Sequence, residues 1–167
     1  MKHSRLIASC GMTAALSVVI MLLGSALGLG MYISPMLCGL CLMPIGQKFG
    51  TKHQWTLWAA VSIVCLLLVP SAEQNLMYLT FFGLYPLLLP HFRRLPRPLQ
   101  WPCKLLYFNL VVVAVEALVI LVLAPEAMST PIALLMLAMG NAIFIMYDFI
   151  LPRWEMLFQR LFGKLRQ

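Results

Sequence analysis

Residues 6–47 contain no Asp, Glu, Lys, Arg or His. A membrane crossing needs about 20 apolar residues to traverse about 30 Å of hydrocarbon. The run therefore reads as two crossings, with GSALGLG (24–30) as the turn between them. It is too long and too uniform for a cleaved leader, and no small-residue cleavage site follows a short apolar stretch. The rest of the chain agrees: 62% of its 167 residues are hydrophobic and 10% are charged, more apolar surface than an aqueous domain can hide. The expected fold class is an all-α membrane protein.

Six transmembrane helices are expected, at 6–25, 29–45, 55–69, 76–89, 103–123 and 131–151. The second carries Pro35 and Pro44, and the fourth carries Pro86 with Pro90 at its end. Both are expected to bend or break at membrane depth, which is tolerated only where the backbone is buried in protein or lines a cavity. With these spans, all twelve Lys and Arg residues fall on one side. The positive-inside rule makes that side cytoplasmic. Both termini lie there, and the far side has only the short turns GSALGLG, PSAEQ and APEAMST. The expected location is a cell membrane crossed several times, such as a bacterial plasma membrane. The net charge of +7 is then a topology signal. A nucleic-acid partner would need a soluble basic face that the chain has no room for.

Two units are expected: a six-helix transmembrane domain (1–151) and a basic amphipathic helix (152–167). In the second, Trp154, Leu157, Phe158, Leu161, Phe162 and Leu165 recur at helical spacing, with Arg160, Lys164 and Arg166 on other faces. Such a helix suits the inner leaflet, as an anchor or as a docking surface.

The polar residues inside the apolar runs carry the functional question. Glu116 lies nine residues from Pro125, about 13 Å down a helix from the far surface. Asn141 has a similar depth on the last span, so the two are expected to pair. Ser17, Ser62 and Thr80 fall at comparable depths and complete a polar layer, which is costly unless satisfied. No Lys, Arg or His lies in the outer half of this topology, so Glu116 is either protonated or met by a positively charged ligand. Glu73, Gln74 and Asn75 gather at the outer start of the fourth span. Ser71 is placed to cap that helix, and Tyr78 and Phe81 below it form an aromatic wall. Asp148 is level with Lys104 near the inner surface, where an ion pair explains both. On the first span Ala8, Gly11 and Ala15 share a face of small residues, suited to close helix packing inside the bundle or to docking of another membrane protein.

No phosphate loop, zinc-protease helix or nucleophile elbow is present, so no enzyme activity and no catalytic residues are expected. Cys38 and Cys41 form a C-x-x-C without a second pair, so no metal and no cofactor are expected. The five cysteines read as small packing residues.

Six short spans, both ends inside and a small-residue face on the first helix resemble the substrate-binding S components of energy-coupling factor (ECF) transporters. Gly11 and Ala15 stand where that family carries an alanine-rich pair, with Gly replacing the first Ala. The resemblance implies capture of a vitamin-like micronutrient from outside, with Glu116, Asn141, Glu73, Gln74, Asn75 and Tyr78 as pocket candidates. It implies docking through Ala8, Gly11 and Ala15 onto a transmembrane coupling protein that works with two ABC-type ATPases. The absent outer cation favours a neutral or cationic substrate over a polyanion, although outward helix N-termini can cradle an anion. A different class also fits the layout: a non-transporting membrane scaffold resembling the MreD-type component of the cell-wall elongation machinery.

Overall fold

The computed structural model describes residues 2–27, 32–122 and 130–163, and all the regular structure among them is helical. The elements are α1 (Lys2–Ala26), α2 (Ile33–Phe49), α3 (Thr51–Leu68), α4 (Ala72–Met77), a π-helical segment (Tyr78–Phe82), α5 (Tyr85–Phe92), α6 (Arg97–Val122) and α7 (Thr130–Gly163). Helices α1 over Ser4–Ala26 and α6 over Pro98–Val119 are long and apolar enough to cross a membrane. By that measure the expected six crossings are not met. Helix α2 has 17 residues, α3 opens on the polar run TKHQ, and the expected fourth span is divided in two.

Helix α2 is the centre of the molecule. It is apolar on most sides and packs into both hydrophobic cores, leaving Ile33 and Leu37 exposed. Met36, Leu40 and Met43 face one core with α4 to α7. Cys38, Leu42 and Ile45 face the other, with α1 and α3. Pro35 lies in the first turn of α2, where no backbone donor is lost, and α2 continues unbroken through Pro44. The bend expected there does not divide it.

The break expected near Pro86 is present. Gly83 N–H donates to Tyr78 O at 2.9 Å, a bond to the fifth residue back, which is the spacing of a π turn. Pro86 then falls in the first turn of α5. Neighbouring tyrosines serve the carbonyls of the irregular stretch. Tyr107 Oη donates to Thr80 O at 2.7 Å, and Tyr147 Oη to Phe82 O at 3.1 Å. Gly39 makes this fit possible, because a Cβ there would collide with Phe82 O and lie 2.6 Å from Tyr147 Oη.

Phe81 is fully buried and is the hub of an aromatic core, not the wall of an entrance. Its ring lies 4.9–5.4 Å from those of Phe82, Tyr85, Tyr107, Phe108 and Phe144. Beside this core, Lys104 Nζ contacts both oxygens of Asp148 at 2.9 Å, and Tyr85 Oη donates to Asp148 Oδ1. The expected ion pair is therefore present, and its side chains are only 10% and 8% exposed. Helix α7 runs as one element of 34 residues with Pro152 inside it. The separate helix expected from residue 152 is its continuation as far as Gly163, and residues 164–167 lie outside the described residues.

Breaking one side of a buried pair strands the other charge, at about 3–5 kcal/mol, whereas an apolar replacement of both is often near neutral. Asp148→Asn should therefore lower the thermal midpoint strongly, and the double variant Lys104→Met, Asp148→Leu should recover most of the loss. Thermal unfolding of the purified variants checks this.

Candidate functional site

The segment PSAEQNLMY folds as its sequence suggests, but it points inward. Ser71 Oγ accepts from Gln74 N at 3.4 Å and caps α4, answering one of the unpaired donors of a helix start. Gln74 and Asn75 then turn into the protein. Gln74 Nε2 donates to Met21 O and to Ser34 Oγ, both at 2.8 Å, and so pins α4 to α1 and α2. Gly24 leaves room for this tie, since a Cβ there would strike Ser34 and lie 3.3 Å from Gln74 Nε2. Asn75 Nδ2 donates to Val69 O at 2.9 Å. Both side chains are buried, and Gln74 Oε1 and Asn75 Oδ1 have no partner among the described residues. Tyr78 is fully buried in the core shared by α1, α2 and α3. Its hydroxyl and that of Ser17 lie beside the Cys38 thiol, a weak partner, in positions that do not form a well-aligned hydrogen bond.

Glu73 and Glu116 behave differently. Both are half-buried, one in the first turn of α4 and the other two turns from the end of α6. Burial raises the Glu73 carboxyl above the ordinary carboxylate range, and the charge of Glu116 raises it further. Both carboxylates also act on Tyr32 at the start of α2, whose buried hydroxyl has no partner among the described residues. Two carboxylates and a phenol from three helices therefore share one end of the bundle. Every described Lys, Arg and His lies in the half of its helix remote from that end or, for Arg93 and Arg94, in the turn after α5. The arrangement offers acceptors and negative charge, so it suits a ligand that brings donors or a positive charge.

The expected pairing of Glu116 with Asn141 is not made. Asn141 and Asn109 exchange amide hydrogen bonds at 2.9 and 3.0 Å, and each also donates to a carbonyl of its own helix. Asn109 is seven residues from Glu116, about 10 Å along α6, so Asn141 sits that much deeper than its count from Pro131 implies. Sequence reasoning passed over Asn109, although it heads the apolar run that contains Glu116. Of the rest of the expected polar layer, Ser62 and Thr80 are satisfied locally, donating to Trp58 O and Leu76 O four residues back, whereas the Ser17 hydroxyl has no partner among the described residues.

Ala8, Gly11 and Ala15 are exposed, and a Cβ on Gly11 would meet nothing within 4 Å. This face is therefore not used for packing inside the protein. Ala15 also borders an apolar groove between α1 and α3, about 380 Å³ in volume, with Val18, Ala60 and Val64. A second cavity lies at the basic end, between Gln54, Arg93 and Glu155. None of the six expected pocket residues lines either one. The five cysteines are free thiols, and the described residues contain no group of three or more His, Cys, Asp or Glu that could hold a metal ion. Compared with protein-family models, with curated proteins and with solved structures, the chain matches none.

The raised Glu73 carboxyl fixes the sign of a pH effect. The folded state holds this proton more tightly than the unfolded chain does. Stability is therefore highest below the ordinary carboxylate pKa of about 4.3 and falls as pH rises from there through the folded value. Glu73→Gln should remove that fall and stabilise the protein near neutrality. Because the group is half exposed and screened by solvent, the gain should stay below about 1 kcal/mol. Thermal midpoints of both proteins between acid and neutral pH measure it.

Proposed function

We propose that this chain is an integral protein of a cell membrane, crossing it six times with both termini in the cytoplasm. We further propose that it captures a neutral or cationic small molecule at its outer end for uptake by an ATP-driven complex, as the S components of energy-coupling factor transporters do. The membrane part rests on exposed apolar surface. Only 11% of the apolar window of α1 and 28% of that of α6 is buried, whereas the core helix of a soluble protein is mostly buried. Leu67 on α3 and Leu121 on α6 are 80% and 82% exposed. Contiguous apolar surface on this scale marks contact with lipid or another protein. Hydrocarbon takes it up at no cost, and the short α2 and the divided fourth segment are then sheltered by the helices around them.

One observation carries the capture part: Glu73, Glu116 and Tyr32 share an end of the bundle that has no described cation. An ionisable residue inside a membrane is a candidate site by default, and a carboxylate pair without a protein counter-charge favours a cationic ligand. Docking onto a coupling protein falls to Ala8, Gly11 and Ala15, whose small side chains let another helix approach closely.

The scaffold reading has its own support. Gln74, Asn75 and Tyr78 are sealed in the interior as struts and packing, as in a protein without a pocket, and neither cavity described lies at the acidic end.

Binding titrations of the purified protein separate the two. A thiamine-like cation should bind in preference to a folate-like polyanion, and Glu116→Gln should weaken that binding about tenfold or more, the scale of one charge-assisted hydrogen bond. Preference for the polyanion would overturn the charge argument. Mild-detergent pull-down from native cells should recover ABC-type ATPases and a second membrane protein. Recovery of cell-wall synthesis proteins, with neither ligand nor ATPase, would establish the scaffold instead.

A further inference from the structure

At the basic end, a cavity of about 180 Å³ opens between α2, α3, α5 and α7. Its wall includes Gln47, Thr51, Gln54, Arg93 and Glu155, with Met43 among its apolar lining. Gln54 is only 6% exposed, yet its side-chain amide makes no hydrogen bond to a described residue. Its amide nitrogen and oxygen are not sealed from the cavity, so a ligand there can both accept from it and donate to it.

The charges around the cavity have both signs. Helix α3 has 18 residues, its N-cap is Gly50 with no capping side chain, and its first turn contains no acidic residue. Its positive end is therefore unanswered, which suits an anionic group. Arg93 stands beside it. Glu155 contacts Arg93 through one oxygen and one guanidinium nitrogen at 2.9 Å, so the second carboxylate oxygen and the remaining guanidinium donors are not used by this pair. A simple anion would be repelled by Glu155, and a simple cation by Arg93 and the start of α3. A zwitterion answers both.

We propose that this cavity binds a phosphate zwitterion carrying a primary ammonium, the head group of an aminophospholipid. The phosphate lies toward Arg93 and the start of α3, the ammonium toward Glu155, and the Gln54 amide donates and accepts between them. A lipid source is favoured over a soluble one because the lining is partly apolar and the site lies at the end that the membrane reading places against the inner leaflet. The inference rests on that membrane reading and is independent of substrate capture at the acidic end.

The test is native mass spectrometry of the full chain in detergent, titrated with phosphatidylethanolamine, with phosphatidylglycerol, and with phosphatidylethanolamine in the presence of soluble phosphoethanolamine. The wild type should retain phosphatidylethanolamine at least fivefold better than Gln54→Leu and Glu155→Gln. Circular dichroism identifies any variant that fails to fold, and Thr51→Val supplies a third change in the same wall. Displacement of the lipid by soluble phosphoethanolamine would support the head-group chemistry and show that the tail adds little. Equal retention of phosphatidylglycerol, or retention unchanged in every folded variant, would overturn the proposal. A protein that stays monodisperse without detergent would instead count against the membrane reading, a separate readout.

Discussion

Gly39 meets the carbonyl of Phe82 where any side chain would collide, and this approach of backbone to backbone lets the two halves of the protein pack together. It lets α2 lie against the π-helical segment, and it leaves space for the Tyr147 hydroxyl to reach the same carbonyl. Because α2 is buried by both cores, the contact couples the α1–α2–α3 layer to the aromatic cluster around Phe81. Interiors are close-packed, so a side chain at position 39 would shift both cores together.

Polarity is divided along the bundle. At the basic end both acidic residues are paired: Asp148 with Lys104, supported by Tyr85, and Glu155 with Arg93. At the acidic end burial and the charge of Glu116 both raise the cost of ionising Glu73, with no described cation to offset it. Stability arguments account for the first arrangement. The second costs free energy, and sites that cost free energy are where a ligand or a proton has a role.

Much of the layout was legible because punctuation residues and charges act locally. Ser71 caps a helix through its own neighbours, Pro86 ends one helix and opens another, and Lys104 and Asp148 each sit at a countable distance from a helix end. What stayed hidden depended on rotation about a helix or on context. Glu73, Gln74 and Asn75 are adjacent in sequence, yet successive residues point about 100° apart on a helix, so one faces the surface while two enter the core. Counting from Pro131 sets Asn141 level with Glu116, a depth error of two turns that gives it the wrong partner. Phe81 reads equally well as a pocket wall or a core hub until its neighbours from α6 and α7 are in place. Pro152 reads as a boundary in the sequence, but a helix continues through a proline when its surroundings hold it.

That proline lies four residues beyond Asp148. With no N–H of its own, it leaves the Asp148 carbonyl without its usual helical partner, so the weakest link in the backbone of α7 and the most buried charge on that helix belong to one residue. Helix α7 spans about 51 Å at the standard rise, and roughly its last third extends past this point. That third is also tied down by the contact of Glu155 with Arg93. A sideways load on Trp154 or Leu157 therefore bears on that exposed pair, then on Leu151 in the aromatic core, and then on the carboxylate that Lys104 and Tyr85 hold.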